Sequence, residues 1–421
     1  MEFNFFAIPL LIIKATWWII TPIILFKALK NSYLYFITLR YINNVPWTLL
    51  EIRLPQEVLK TPKAMEYVLA GLHGAWDSLD WRDIWIKGEV LASFSLEIVG
   101  TEGEVHFYVY TQTKLKEFTK QNIYAQYPDA EVLEVEDYTQ KLPPIVPNKK
   151  WDLWGTDLRL VKENPYPIRR YMDFEEVEEE KRLDPISQIA EVMNALGPGE
   201  HMWIQILIQP STEMEQLKKE GDEIVGKLLK REPKEAPRGA LAGIFQALIN
   251  FISGALGFPV TPKEDERPQT LTYAELMLSP GERDALKAIE EKTAKLAYET
   301  LIRFIYVGRT EVFNKANIPA LFGFFRHFNT FNLNGFAPNR NTYPRRSFVW
   351  FRNTRTYMRK LRLYMWYKYR NPLPGNISNA YIMNTEELAS MFHFPGQTVK
   401  APAMPRVPGA KPPPPAGLPT G

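Results

Sequence analysis

Hydrophobic and polar positions alternate strongly in the N-terminal third of the chain. TLLEIRLP (48–55) and EVLEVEDY (131–138) alternate with the period of two that is typical of a half-buried strand. FSLEIVG (94–100) and VHFYVYT (105–111) are separated by a short turn that contains Gly103, which predicts a β-hairpin. These segments predict four strands.

Two stretches between these strands carry apolar residues at helical spacing. In KAMEYVLAGLHGAW, Met65, Leu69 and Leu72 share one helical face, and LKEFTKQNIYAQYP (115–128) predicts a second helix. The resulting order, β-α-β-β-α-β, is that of the split βαβ or ferredoxin-like unit. We therefore expect residues 45–140 to form a first ferredoxin-like domain.

A similar pattern recurs after the proline-containing linker 141–150. Strand-like and helical segments follow each other through 151–335, including the helix DPISQIAEVMNAL, which Asp184 is expected to cap. These residues predict a second α+β domain of the same type, interrupted by an amphipathic insertion at about 233–270. The uncharged part of that insertion, 239–258, fits an interfacial helix, a helix packed in a core or a second membrane span.

The first 30 residues are dominated by one apolar run. Residues 3–26 are apolar apart from one asparagine, one lysine and two threonines, which is long enough to cross a hydrocarbon core of about 30 Å as a helix. We expect a transmembrane anchor within 1–30; an interfacial helix and a cleaved signal peptide are the alternatives. Lys27, Lys30 and Arg40 follow the run, so the positive-inside rule predicts a single-pass protein of the cytoplasmic membrane with its C-terminal domains in the cytoplasm.

The residue types that support common chemistries are absent or scattered. The chain has no cysteine, which excludes disulfides, thiolate metal sites and thiol catalysis. Its five histidines show no metal-ligand spacing. GDEIVGK (221–227) has the spacing of a phosphate-binding loop, but leucine follows the lysine and two acids would repel phosphate. We therefore predict no catalytic residue, no cofactor and no metal.

The charge distribution is most unusual between Val312 and Thr385. This stretch has twelve Lys and Arg and no acid, although the formal net charge of the chain is only +3. Its densest part, 343–370, places aromatic residues between the bases, which suits nucleic acid, an anionic bilayer or an acidic protein face. A helix with a solvated basic side and an aromatic core side is the alternative without a ligand. The candidate residues for binding an anionic partner are Arg345, Arg346, Arg352, Arg355, Arg359, Lys360, Arg362, Lys368 and Arg370.

Several segments together resemble a known family. They are LEIRLP, AMEYVLAGLHG, SLEIVGTEGEVHFYV, IYAQYPDAEVLEVEDY, NGFAP and NTEELASMFHFP. The combination resembles the N-terminal, non-motor region of HerA/TraG-type ATPases linked to bacterial type IV secretion and conjugation. It is also similar to stand-alone bacterial membrane proteins of unknown function that share this region. In the family, a segment like NTEELASMFHFP leads into an ATPase domain with G-x-x-x-x-G-K-[ST]. No such motif follows it here, so the resemblance implies a scaffold whose motor is a separate protein.

The predicted protein is of the α+β class. It has an N-terminal transmembrane helix, two ferredoxin-like (split βαβ) units, a basic aromatic and exit segment (336–395) and a proline-rich tail (396–421). We expect a non-enzymatic, membrane-anchored and homo-oligomeric scaffold of a type IV secretion or DNA-transfer-like apparatus, which docks a motor ATPase. A membrane-associated nucleic-acid-binding module and an enzyme with an unrecognised site are the alternatives.

Overall fold

The computed structural model describes most of the chain. The described residues are 7–55, 60–174, 184–229, 278–345, 351–370, 380–395 and 406–407. The insertion predicted at 233–270, with its uncharged segment 239–258, lies outside them, as does the tail 396–421 apart from residues 406–407.

The described part of the chain contains ten strands. They are β1 (Trp47–Pro55), β2 (Phe94–Thr101), β3 (Glu104–Gln112), β4 (Glu131–Val135), β5 (Trp151–Leu160), β6 (Glu200–Pro210), β7 (Ala297–Arg309), β8 (Phe336–Pro338), β9 (Tyr381–Asn384) and β10 (Arg406–Val407). The hairpin between β2 and β3 turns at Glu102 and Gly103, with φ angles of 52° and 93°. Two successive residues in the left-handed region are the geometry that a tight hairpin requires.

Nine α-helices occupy the same described residues. They are α1 (Ala7–Asn44), α2 (Pro62–His73), α3 (Lys116–Gln126), α4 (Pro185–Asn194), α5 (Met214–Leu228), α6 (Pro280–Thr293), α7 (Ile318–Arg326), α8 (Arg352–Lys368) and α9 (Thr385–Met391). Asp184 caps α4 as the sequence predicts, because its side chain accepts a hydrogen bond from the backbone N–H of Ile186 at 2.8 Å.

All ten strands join one sheet. Their order is β10-β1-β3-β2-β6-β7-β5-β8, with β4 also paired to β1 and β9 to β7. Every residue of β2 has an antiparallel partner in β6, from Phe94 opposite Ile208 to Thr101 opposite His201. The protein is α+β, but the prediction of two ferredoxin-like units is wrong. β2 is buried on both faces and pairs on both sides, so the sheet and its core continue where the first unit was expected to end.

The first face of the sheet carries a core that runs across both halves of the chain. One cluster of buried apolar side chains extends from Leu50 in β1 through Ile98 in β2 and Ile204 in β6 to Ile302 in β7. Helices α2, α3, α4, α7 and α9 all contribute side chains to it. The domain boundaries at 45–140 and 151–335 stay a prediction.

The segment NTEELASMFHFP is built into this core. Asn384 caps α9 by accepting from the backbone N–H of Glu387 at 2.8 Å, and the Glu387 carboxylate accepts from the N–H of Asn384 at 3.0 Å. Glu387 is fully buried and pairs with the equally buried Lys292 at 3.0 Å. Glu386 pairs with Arg170 at 3.3 Å and with Lys295 at 3.0 Å. The segment is therefore an integral part of the fold.

Helix α1 differs from the predicted membrane span. It runs from Ala7 to Asn44, so Lys27, Lys30 and Arg40 lie inside the helix and not after it. No helix in the described part of the chain is both long and apolar enough to cross a membrane. On this finding the transmembrane anchor at 1–30 is wrong, and so is the localisation as a single-pass protein of the cytoplasmic membrane with its C-terminal domains in the cytoplasm.

Candidate docking surface

Helix α8, the centre of the basic aromatic stretch, lies on the second face of the sheet. Its side chains Leu363, Tyr364 and Tyr367 are buried and form one apolar cluster with Leu153 of β5 and Trp203 of β6. Residues three and four positions apart share a face of a helix, which is why these three pack together. The aromatic residues on this side of α8 serve the core and are not free to stack on a ligand.

Hydrogen bonds and one ion pair fix α8 in place. The hydroxyl of Tyr364 donates to the carbonyl oxygen of Pro143 at 2.7 Å, and the side chain of Gln205 donates to the carbonyl oxygen of Tyr367 at 3.2 Å. Lys360 pairs with Asp152 at the beginning of β5, at 2.5 Å. These contacts hold the C-terminal half of the helix, from Lys360 to Tyr367.

Arg370 lies two residues after the end of α8 and is buried against two acids. Its guanidinium bonds to the carboxylates of Glu97 and Asp137, and its backbone φ is 47°. Burial by itself lowers the pKa of Arg370, but the attraction of Glu97 and Asp137 outweighs it, so the pKa lies well above its ordinary value. Burial raises the pKa of Asp137, and the hydrogen bond and charge of Arg370 bring it below its usual range. Arg370 is a structural cation.

The outer side of α8 presents cations in one row. Arg352, Arg355, Arg359 and Arg362 stand at i, i+3, i+7 and i+10, which is one stripe of a helix. Arg352, Arg355 and Arg362 are exposed, and Arg359 is partly exposed. We call this row the basic face of α8. Across the described residues, no carboxylate pairs with any of the four.

The beginning of α8 adds to the positive potential. Phe351 precedes the helix with φ 61° and ψ 36°, and 77% of its surface is exposed. A bulky residue in the left-handed region is strained, and such positions are concentrated at functional surfaces. The first turn has no acid and no side-chain cap, so the positive end of the helix dipole is not compensated. Arg352 and Arg355 lie on this same first turn.

A shallow pocket of about 290 Å³ lies beside the first half of α8. It is lined by Pro147, Arg352, Asn353, Thr356, Tyr357 and Lys360. The pocket and the exposed side chain of Met358 add apolar area to this otherwise cationic surface. Cations, aromatic rings and methionine around a small pocket are typical of a surface that binds a protein.

Comparison with models of protein families identifies the family of this chain. Residues 38–406 match the family described as Domain of unknown function (DUF8128). The chain belongs to the DUF8128 family. The match begins at Thr38, which is buried like its neighbour Ile37, and ends in β10, so it covers the sheet and α8. No curated protein matches the chain.

The part of the predicted resemblance that is confirmed is a family of unknown function across most of the chain. The comparisons give no support to type IV secretion or conjugation. The finer likeness of the DUF8128 chain to HerA/TraG-type ATPases is not shown.

The structure separates the predicted binding residues of the DUF8128 chain into three groups. Arg352, Arg355, Arg359 and Arg362 share the basic face, and Arg345 is exposed shortly before it. Lys360 and Arg370 are used in ion pairs of the fold, and Lys368 is partly exposed near the last turn of α8. Arg346 lies outside the described residues.

Sequence reasoning missed the acids that neutralise part of the stretch. Glu97, Asp137 and Asp152 are each more than 200 residues from their partners. One signal was present, because Glu97 is a lone charge in the apolar strand segment SLEIVG and so required a buried partner. The exposed Phe351 and Met358 were also missed.

Other candidate sites in the DUF8128 chain are weaker. GDEIVGK lies inside helix α5, where the helix uses the backbone N–H groups that a phosphate would need. In the part of the chain that the structure describes, no group of three His, Asp or Glu side chains could hold a metal ion. A cleft of about 690 Å³ lies between α1 and the end of α8; of its two cations, Lys368 and Arg370, the second is already paired with Glu97.

Proposed function

We propose that this DUF8128 chain is a non-enzymatic docking scaffold whose basic face on α8 binds an acidic surface of another protein. The observation that carries the proposal is the contrast between the two sides of α8. Tyr364 and Tyr367 anchor the inner side, whereas Arg352, Arg355 and Arg362 are exposed and have no carboxylate partner among the described residues.

A protein suits this surface better than a nucleic acid. Stacking of successive bases requires neighbouring free aromatic faces; Tyr364 and Tyr367 are buried, and the exposed rings of Phe351, Tyr357 and Tyr369 are spread along the whole helix. The exposed apolar groups next to the cations are Phe351 and Met358, which fit a protein interface with an apolar centre and a charged surround. Nucleic-acid binding, the second predicted function, is therefore the alternative that the binding test below must distinguish.

The fixed geometry of α8 favours binding in two ways. Lys360 and Tyr364 hold the inner side of α8 against the sheet, so the backbone there loses little conformational entropy when a partner binds. A row of like charges also steers an acidic partner toward the helix and accelerates association at low salt. The rate of association should therefore fall steeply as salt is added.

The finer resemblance suggests one class of partner. The likeness of NTEELASMFHFP and the other segments to the non-motor region of HerA/TraG-type ATPases makes a separate motor ATPase a partner to test. In this proposal the chain supplies the scaffold and the motor supplies the chemistry. The type of apparatus in which they meet stays a prediction.

The test is fluorescence anisotropy with the full chain and three labelled probes. The probes are a glutamate-rich peptide that contains tryptophan, the same peptide with glutamine in place of glutamate, and a single-stranded DNA of similar length. We expect the acidic peptide to bind, with an affinity that falls between about 50 and 500 mM salt as charges are screened. Arg352→Gln/Arg355→Gln/Arg362→Gln should weaken it by about tenfold or more.

The matched control removes three exposed lysines of α5, which changes the net charge equally. Lys218→Gln/Lys219→Gln/Lys227→Gln should leave the affinity for the acidic peptide within about twofold, because surface changes away from the contact have small effects. If both variants lose affinity for the acidic peptide equally, the binding depends only on net charge, and the proposal is contradicted. Tight binding of DNA with indifference to the acidic peptide would favour the nucleic-acid alternative.

A further inference from the structure

A second exposed surface of the DUF8128 chain combines tryptophans with acids. After α2, residues 76–80 form a loop that leads into a short helical segment beginning at Trp81; Trp76 is 49% and Trp81 is 65% exposed. Asp77 and Asp80 are exposed beside them, and neither has an ion-pair partner among the described residues. We call residues 76–83 the tryptophan loop.

The tryptophan loop is held in one conformation by its neighbours. Its backbone N–H at Asp80 donates to the carboxylate of Asp83 at 3.1 Å, and Asp83 pairs with Lys87 at 2.7 Å. Gly88 follows with φ 68°, in a position where a Cβ would meet the carbonyl oxygen of Ile37 at 2.4 Å. Close contact with α1 therefore fixes the end of this segment, and the hydrogen bond of Asp80 to Asp83 holds the turn beside Trp81.

The charge of this region is complementary to the basic face of α8. From Trp76 to Glu89 the sequence carries four acids and two bases, against four arginines and no acid on the basic face. An aspartate accepts paired hydrogen bonds from an arginine, and a tryptophan face attracts the same guanidinium. The tryptophan loop thus places carboxylates and tryptophan rings, both of which bind arginine, within a few residues of each other.

The two surfaces lie at opposite ends of the sheet. His73, at the end of α2, is 3.2 Å from the carbonyl oxygen of Ala297, where β7 begins. Lys360 of α8 pairs with Asp152, which lies opposite Gly308 near the end of β7. At about 3.3 Å per residue, the length of β7 separates these ends by roughly 40 Å. The tryptophan loop cannot reach the basic face of its own chain.

We infer that the tryptophan loop of one copy docks on the basic face of α8 of a second copy. The inference rests on the proposed function and names its acidic partner as another copy of this chain. Because the contact joins two different surfaces, it is heterologous, and a pair of copies keeps one loop and one basic face free for further copies. The assembly is therefore a head-to-tail row that closes into a ring or grows as a filament.

The test uses sedimentation velocity of the full chain and of two variants. The loop variant carries Asp77→Lys/Asp80→Lys/Trp81→Ala, and the helix variant carries Arg352→Gln/Arg355→Gln/Arg362→Gln. We expect the wild type to form species larger than a dimer, and each variant alone to require at least about tenfold higher concentration to associate. A one-to-one mixture should form dimers and stop there, because only the loop of the helix variant and the helix of the loop variant are intact.

The absence of cysteine provides a second, independent test. Asp80→Cys and Arg355→Cys are made in separate chains and in one chain. Oxidation should give a crosslinked pair from the mixture of single variants and a ladder from the double variant. A matched control, Glu136→Cys with Arg355→Cys, uses an exposed acid of another region and should give neither.

The outcomes separate this inference from the proposed function. If the loop variant associates as the wild type does, or the mixture of Asp80→Cys and Arg355→Cys chains gives no crosslink, the head-to-tail contact is wrong. The basic face can still be a docking surface in that case, and the acidic-peptide assay decides it. If the helix variant binds the acidic peptide as tightly as the wild type, the proposed function fails and this inference fails with it.

Discussion

Arg370 donates two hydrogen bonds to Glu97, from Nε at 2.9 Å and from Nη2 at 3.1 Å, although 273 residues separate them. Glu97 lies in the middle of β2, so this contact ties the end of α8 to the strand that joins the two halves of the sheet. A bidentate pair of this kind fixes orientation as well as distance. The placement of the basic face on the molecule depends on it.

We expect Arg370→Met to destabilise the protein by about 3–5 kcal/mol, because it leaves the buried carboxylate of Glu97 without a cation. The matched control is Arg355→Met, an exposed arginine of the same helix, which should change stability by no more than about 0.5 kcal/mol. Urea unfolding followed by tryptophan fluorescence measures both. Equal stability of the two variants would show that the buried pair contributes little.

Stability should fall as the pH decreases from about 6.5 to about 4. Burial between Trp151 and Trp203 lowers the pKa of His201 to about 4, so over this range the unfolded state binds a proton that the folded state does not. The shift corresponds to about 3 kcal/mol in total. His201→Phe, which keeps the stacking, should flatten the pH profile of unfolding, and His73, whose pKa burial also lowers, accounts for part of any slope that is left. An unchanged slope in the variant would contradict this assignment.

The buried pair of Lys292 and Glu387 should respond to single and double changes differently. Lys292→Met leaves the fully buried Glu387 uncompensated, and we expect a loss of about 3–5 kcal/mol in stability. Adding Glu387→Gln removes the unpaired charge but keeps one acceptor oxygen for the two backbone N–H groups of Ile168 and Asn384, so only part of the loss should return. Thermal unfolding of the three proteins decides whether the two changes are coupled.

The isolated fragment 45–140 should not melt cooperatively. The order of its elements alone predicts that it folds by itself, but in the structure β2 pairs along its whole length with β6, and the apolar cluster runs through both. Circular dichroism should show cooperative unfolding only when the fragment is produced together with residues 141–421. A cooperative melt of the fragment alone would instead favour two independently folding units.

Local patterns were sufficient to predict elements, and non-local contacts decided how they assemble. The hairpin around Gly103 and the cap at Asp184 follow from residues a few positions apart, so the sequence predicted both. The pairing of β2 with β6 joins segments about 100 residues apart, and nothing near Leu96 or Ile98 specifies that partner. The same holds for α8, because its composition predicted a basic side but the acids that neutralise Lys360 and Arg370 lie far away in the chain.

The apolar run at the N-terminus shows a different limit. Length and composition predicted a span that ends before Lys27, whereas the helix continues to Asn44. Its last turns are held by contacts that no hydropathy pattern contains, such as the hydroxyl of Tyr41 donating to the carboxylate of Glu89 at 3.1 Å. A helix boundary that tertiary contacts determine cannot be found from the residues of that helix alone.

The buried ion pairs of α9 also determine how the molecule would resist a pulling force. A pulling force on the chain beyond β10 must first separate β10 from β1, then break the three ion pairs of Glu386 and Glu387, and then strip β9 from the beginning of β7. Because β7 also carries β6 and β5, the tension spreads into the sheet and reaches the two surfaces at its ends. The exit segment therefore transmits a force applied at one side of the molecule to the surfaces on the other side.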